Sequence, residues 1–514
     1  MKRTVSTILL VILLTSMLYS AFKIMPAEAA GTIYIRADGS IDPPTAPIST
    51  LDNITYTFTG NIDDSIVVER SNIVMDGAGY TVQGTGAYDS KGISVSGRSN
   101  VTIKNMTIKA FDYGIWLEYS SSSSISGNNI ANNDIGIMLE YSSSNSISGN
   151  GIANPGYGIW LYYSSNNSIS GNNIANNVWN GIGLDYSSNN SISGNTFTND
   201  GLYVYYSYQN SVESNTVNGR PLVYLEGVSN CTVDDAGQVI LVRCDNIRVE
   251  GLSLSRTSVG IELWETSNST ISGNNITANN RYGIWLDSSS NYNSISGNNI
   301  AANSGYGIWL DSSSSNSISG NNITNNGDGI WLDYSSSNSI SGNNITNNGD
   351  GIWLDYSSSN SISGNNIANN VWNGIVLEYS SSNSIFHNDF INNAQQAVSS
   401  DSVNVWDDGY PSGGNYWSDY TGVDANGDGI GDTPYILDVQ NVDNYPLMQP
   451  FNNMQIPGDI NNDGTVDIFD IVIVALEFGH PPPPIVDLRA DVNKDGLVDI
   501  FDIVVVALHF GETG

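Results

Sequence analysis

Gly329-Ile330-Trp331-Leu332-Asp333-Tyr334-Ser335 is followed by Ser-Ser-Asn-Ser-Ile-Ser-Gly-Asn-Asn-Ile, and the same text begins again at Gly351. The Gly-Ile marker also stands at Gly92, Gly114, Gly136, Gly158 and Gly181, then at Gly260, Gly283, Gly307 and Gly374. A near-constant period of about 22–24 residues marks a solenoid, because one repeat cannot bury its own apolar face. Within the repeat the apolar residues alternate, as Ile330 and Leu332 do, and no amphipathic run has helical length. Two or three short strands per period, separated by Gly-Asn and Asn-Gly turns, make an all-β parallel β-helix. Residues 50 to 400 hold about sixteen such coils, a rod of order 75 Å at ~4.8 Å per coil. Regularity lapses between Gly201 and Thr257, where the coils are expected to continue with different side chains.

The rest of the 514 residues is organised around that rod. Lys2 and Arg3, the apolar run Ile8 to Leu18, and Ala27-Glu28-Ala29 read as a signal peptide over 1–30. The β-helix is assigned to 31–400, a cap with an Asp-rich loop to 401–452, and a second small module to 456–514. After cleavage the chain is expected outside the cell or on its surface, with no membrane span. Acidic residues number 51 against 16 Lys plus Arg, a net charge of −35. That field excludes nucleic acid and anionic membranes as partners and favours cations or basic surfaces. Cys231 and Cys244 are too few for a disulfide framework, and both a pair and two thiols remain open.

In-register coils stack equivalent residues into columns. Trp285, Trp309, Trp331 and Trp353 form one, beside Asp287, Asp311, Asp333 and Asp355. Since Ile330 and Leu332 face inward, both columns are expected to face outward. Exposed rings beside carboxylates suit a polysaccharide-binding face, while stacking of duplicated residues for stability alone is the competing reading. Carboxylates this close repel one another, which bound cations or sugar hydroxyls would relieve.

Segments such as Ile73-Val74-Met75-Asp76-Gly77-Ala78-Gly79-Tyr80, Val217-Asn218-Gly219-Arg220-Pro221-Leu222-Val223-Tyr224 and Trp406-Asp407-Asp408-Gly409-Tyr410-Pro411 resemble the NosD-like β-helix family, also described as carbohydrate-binding and sugar-hydrolase β-helices. The resemblance implies a right-handed parallel β-helix and a polysaccharide-related role. Whether the chain is an enzyme stays open, leaning against. A polysaccharide lyase or glycoside hydrolase is the catalytic alternative, a structural surface protein or adhesin the inert one. No lysine occurs between Lys109 and Lys494, and the visible carboxylate pairs are Asp234-Asp235 and Asp407-Asp408. No copper site is expected, because His387 is the only histidine of the solenoid.

The C-terminal module carries Asp459-x-Asn461-x-Asp463-Gly464-x-x-Asp467-x-x-Asp470, which returns as Asp491-x-Asn493-x-Asp495-Gly496-x-x-Asp499-x-x-Asp502. This is EF-hand loop spacing, with Thr465 and Leu497 offering backbone carbonyls and glycine at the sharp turn. Two Ca²⁺ are expected here. Asp424, Asn426, Asp428 and Asp432 offer a third, shorter loop in the cap. Each EF-hand-type loop runs into Ile-Phe-Asp-Ile-Val, and the segments from Val466 and Val498 are nearly identical. The pair resembles a type I dockerin. That resemblance implies calcium-dependent folding, a cohesin-type scaffold partner, and recognition through Ile468, Phe469, Ile500 and Phe501.

Overall fold

The computed structural model describes residues 31–451 and, beyond them, 466, 468–478, 492, 498 and 500–508. The signal peptide of 1–30 lies outside the described residues.

One coil shows how the sequence builds the rod. Strand Asp328–Asp333 turns inward at Ile330 and Leu332, strand Ser339–Ser341 at Ile340, and strand Asn344–Thr346 at Ile345. All four apolar side chains are fully buried. The next coil repeats the strands in register, Ile330 against Ile352 and Ile340 against Ile362. There are about sixteen such right-handed turns, and helix is confined to two short segments of the C-terminal module among the described residues.

The corners are held by inward-facing asparagines. Asn343 donates from Nδ2 to Ile318 O at 2.9 Å and to Asn365 Oδ1 at 2.9 Å, while its own Oδ1 accepts the Asn321 N–H at 3.0 Å. The same bonds run coil by coil from Asn274 to Asn415. A second ladder uses Ser335 and Ser357, whose hydroxyl accepts the Ser335 N–H at 2.9 Å. A turn inside a dry core leaves backbone groups without water, and these side chains satisfy them.

The coils do not form one uninterrupted stack, which corrects the expectation of a single rod. Val217 pairs antiparallel with Arg220 across Asn218-Gly219, whose φ values of 52° and 82° suit a two-residue hairpin. Strands after this turn run opposite to those before it, yet they extend the same sheet to sixteen strands. Two right-handed coils whose strands run oppositely in one sheet must keep their interiors on opposite faces of it. Side-chain burial follows this rule. Leu222 and Tyr224 pack into the first core, Val223 and Leu225 against the second; Ile240 and Val242 join the first, Val239 and Leu241 the second. Strand Gln238–Val242 is therefore buried at every position.

The outer face of the second stack thus closes the open end of the first. Strand Leu202–Tyr205 is the edge of its nine-stranded sheet, and side chains from the second stack occupy its free backbone groups. Leu202 N–H donates to Gln238 Oε1 at 3.0 Å, and Val204 N–H to Glu262 Oε1 at 3.2 Å. An edge that would otherwise template aggregation is capped from within the chain. At the far end Trp417 stacks between Phe390 at 4.5 Å and Tyr435 at 4.3 Å.

Candidate functional site

The tryptophan column exists, in register from Trp285 through Trp309 and Trp331 to Trp353. Its expected exposure fails at the start. Trp285 is 0% and Asp287 2% exposed, because the end of the first stack lies over them. Tyr203 covers the Trp285 ring at 5.3 Å. Further along, the rings are partly exposed but lie face to face along the rod, Trp331 on Trp353 at 4.7 Å and 6°. Trp285 and Trp309 stack likewise at 5.1 Å, and Tyr306 covers Trp331 at 4.5 Å. Two pairs of the column thus spend one face of each ring on a neighbouring ring. The four indole Nε1 atoms are shielded and have no hydrogen-bond partner.

Carboxyls of the acidic column are pushed above their usual range, chiefly by burial. Burial, then the Asp311 charge, raises Asp287 to about 7. Burial raises Asp311 as well. Asp333 rises to about 6 through burial and then its neighbours Asp311 and Asp355.

Where the two stacks meet, a concave angle opens, and the most cleft-like chemistry of the described residues gathers there. A cavity of about 150 Å³ is lined from the first stack by Tyr157, Trp160, Asn180, Gly183, Asp185, Tyr203 and Tyr205, and from the second by Arg281. It adjoins a cleft of about 530 Å³ bounded by Trp179, Tyr282 and Tyr306. Asn280 Nδ2 bridges the stacks, donating to Asn177 O at 3.1 Å. Gly183 is the coil-to-coil neighbour of Trp160, and the Tyr157 ring stacks on Trp160 at 4.9 Å and 15°, so the two rings form one aromatic wall of the cavity. Asn180 is 1% exposed, and neither its Nδ2 nor its Oδ1 has a partner. One Oδ1 of Asp185 is also shielded without a partner, and burial raises this carboxyl while the Arg281 charge opposes the rise. Behind the cavity, fully buried Glu262 accepts from Trp264 Nε1 at 2.7 Å, and burial holds its carboxyl well above the usual range. Nothing local in the sequence marks this site, because its residues come from coils far apart in the chain. Arg281, as one of few cations in that stretch, was the available signal.

The other expected site residues stay dispersed. Asp234 and Asp235 are exposed, Asp235 facing Arg220 at 3.6 Å. Asp407 accepts from Gly409 N–H and Asn444, and Asp408 from the Ser412 hydroxyl, so this pair holds the local turn. In the cap loop, Asp424 accepts the N–H groups of Gly427 and Gly429, Asp428 that of Ile430, and Asp432 that of Ala425. The cap carboxylates, with Asn426 bonded to Asp428, bond to the loop's own backbone. No three His, Cys, Asp or Glu residues converge as a metal site among the described residues. His387 stacks on Phe451 at 4.2 Å and its Nε2 meets Ser412 O at 2.9 Å, a donor set that does not fit copper. Cys231 and Cys244 are free thiols.

In the C-terminal module, helices Ile468–Glu477 and Ile500–Leu508 pack through Val466, Val474, Val498 and Val506. Asp470 and Asp502, in the first turns, are 0% exposed, whereas Ile468, Ile500 and Phe501 are exposed. The remaining expected calcium ligands (Asp459, Asn461, Asp463, Thr465, Asp467, Asp491, Asn493, Asp495, Leu497 and Asp499) and the Phe469 side chain lie outside the described residues.

Comparison with known proteins follows the same division. Residues 48–200 match the family described as periplasmic copper-binding protein (NosD), residues 201–331 and 259–410 the right handed beta helix region, and residues 457–510 the dockerin type I domain. No curated protein matches the chain in sequence. Among solved structures, the A-module of a mannuronan C-5 epimerase from Azotobacter vinelandii is 14% identical with a TM-score of 0.27, covering 73% of this chain and 91% of its own. An alginate lyase from Paenibacillus sp. is 14% identical with a TM-score of 0.27, covering 46% and 88%. A DFA-IIIase from Arthrobacter chlorophenolicus is 14% identical with a TM-score of 0.25, covering 59% and 71%. Repeat, coil and family match agree: the chain is a NosD-like right-handed parallel β-helix that ends in a type I dockerin domain.

Proposed function

We propose that this is an exported polysaccharide-binding β-helix, held on a cell-surface or multi-protein scaffold by a calcium-dependent dockerin–cohesin contact, and that the glycan is gripped in the junction cavity. The observation that carries the glycan reading is Asn180, a buried amide with donor and acceptor both uncommitted, set among Trp160, Tyr157 and Tyr203. Buried polar groups are normally satisfied, so a ligand offering paired hydroxyls completes the site. An aromatic wall with a few convergent polar groups is the usual form of a small-ligand site. The stacked tryptophans of the second solenoid are assigned to stability instead.

For attachment, Asp470 and Asp502 are the twelfth-position carboxylates, and the loop residues named above complete two oxygen cages. Bound Ca²⁺ couples metal binding to the module's folding, and Ile468, Phe469, Ile500 and Phe501 are offered to the cohesin. Affinity electrophoresis of the calcium-loaded chain against a glycan panel tests the reading. Trp160→Ala should weaken retention about tenfold, the equivalent of roughly 1.4 kcal/mol. Trp331→Ala with Trp353→Ala should leave retention unchanged. Retention that survives the first change and disappears with the second would return the site to the ladder.

A further inference from the structure

We propose that the junction cavity selects an acidic sugar, a uronate unit whose carboxylate is held by Arg281; this rests on the glycan-binding reading above. The chain carries 16 Lys plus Arg against 51 acidic residues, so cations are scarce. Among the described residues Arg70, Arg98, Lys109, Arg256 and Arg281 form no ion pair, and of these only Arg281 lines the junction cavity. Arg36, Lys91, Lys104, Arg220, Arg243 and Arg248 all form ion pairs within 4 Å. Arg281 forms none among the described residues, although it is partly buried and lines the cavity. Aromatic faces hold it instead, Tyr203 at 4.4 Å, Tyr282 at 5.6 Å and Trp179 at 5.7 Å from the guanidinium carbon. A ring against one face fixes the plane of the fork and leaves its N–H edge for a two-pronged contact, the geometry a carboxylate matches.

Two acids share the neighbourhood, and neither cancels this charge by contact. Glu262 lies sealed behind the cavity, with one oxygen committed to Trp264 and Val204. Its burial favours the neutral acid. Asp185 lines the cavity with an uncommitted oxygen suited to a sugar hydroxyl. Asn180 provides a further donor and acceptor, and the stacked pair Tyr157 and Trp160 provides an aromatic wall for the pyranose. The cavity of about 150 Å³ is on the scale of one sugar ring, and the adjoining cleft continues past Trp179 and Tyr306 for its neighbour. A uronate therefore satisfies at once the cation without an ion pair and the unpaired amide against an aromatic wall, which a neutral hexose does not.

Calorimetric titration of the full, calcium-loaded chain with tetramers of mannuronate, guluronate and galacturonate, each beside its carboxyl-reduced neutral form, decides the matter. At least one acidic tetramer should bind tenfold or more tighter than its reduced form, and 0.5 M salt should erode the difference. Arg281→Gln should bring acid and neutral forms to equal affinity, and Arg281→Lys should restore part of the preference. Asn180→Asp, which places a negative charge opposite the ligand carboxylate, should lower binding of the acid more than of the neutral form; it decides alone if Arg281→Gln does not fold. Equal binding of acid and reduced forms by the unaltered chain overturns the selectivity while leaving glycan binding standing. Binding of neither overturns both.

Discussion

Single residues in the rod perform two distinct tasks: asparagines satisfy buried backbone dipoles, and buried carboxyls keep their protons. Asn343 shows the first, bonded to the coil before it and the coil after it. Glu262 shows the second, with Asp200 and Asp287 raised to about 7 and Asp443 to about 6, in each case chiefly by burial. In an unfolded chain these groups titrate near 4. Between about pH 4 and pH 7 the folded state therefore binds more protons, and its stability must fall as pH rises through that window. The contribution is complete below about pH 4 and is lost above the folded values. Glu262→Gln keeps an acceptor for Val204 N–H and Trp264 Nε1–H but removes the titration, so it should flatten the decline. Urea midpoints measured from pH 5 to pH 8 in saturating calcium check this. A midpoint that rises with pH in the parent, or a slope untouched in Glu262→Gln, contradicts the assignment.

At the level of one coil, the marker glycine and the stacked ring solve the same problem of distance. Coils lie one strand spacing apart, and a Cβ on Gly329 would stand 2.4 Å from the Gly351 carbonyl oxygen. The Gly-Ile pair both turn inward there, which an alternating strand achieves only where one member has no side chain. Gly342 is different: its φ of 62° is the constraint, and its Cβ direction is open. Gly329→Ala should cost about 2–3 kcal/mol by forcing the next coil away, and Gly342→Ala only about 1 kcal/mol. Denaturant unfolding of the two variants measures the contrast, and equal costs would remove the steric argument. The same spacing permits flat stacking of Trp331 on Trp353, whereas between Trp309 and Trp331 the Tyr306 ring lies against both indoles instead.

For the molecule as a whole, one hairpin at Asn218-Gly219 converts a simple rod into two stacks that share a sheet and cap one another. That reversal creates the junction cavity, since neither stack alone has Arg281 facing Trp160 and Asn180. The C-terminal module obeys separate rules. Its two helices meet through Val466, Val474, Val498 and Val506, with Ile471, Ile473, Val492 and Ile503 against them, and in an EF-hand-type module of this size metal binding is coupled to folding. Calorimetry of the full chain should show a calcium-dependent transition that chelator abolishes, with the solenoid transition moving by less than about 2 °C. A module transition indifferent to chelator would contradict calcium-driven folding.

Sequence alone determined the coil: a short, nearly constant repeat with alternating apolar positions permits no other packing, and Asp459 to Asp502 spelled out the dockerin by ligand spacing. Local chemistry was enough because each coil contacts only its neighbours. The same repeats concealed the asparagine ladders, since Asn reads as turn or surface until a dry corner demands a partner for its backbone. Asn218-Gly219 was legible as a hairpin, but its consequence was not. Which face of a shared sheet becomes core is fixed by handedness and strand direction together, a property of two stacks at once. Tertiary structure therefore decided that Trp285 and Asp287 are buried, that Trp331 stacks on Trp353, and that Arg281 stands among the rings of a distant coil.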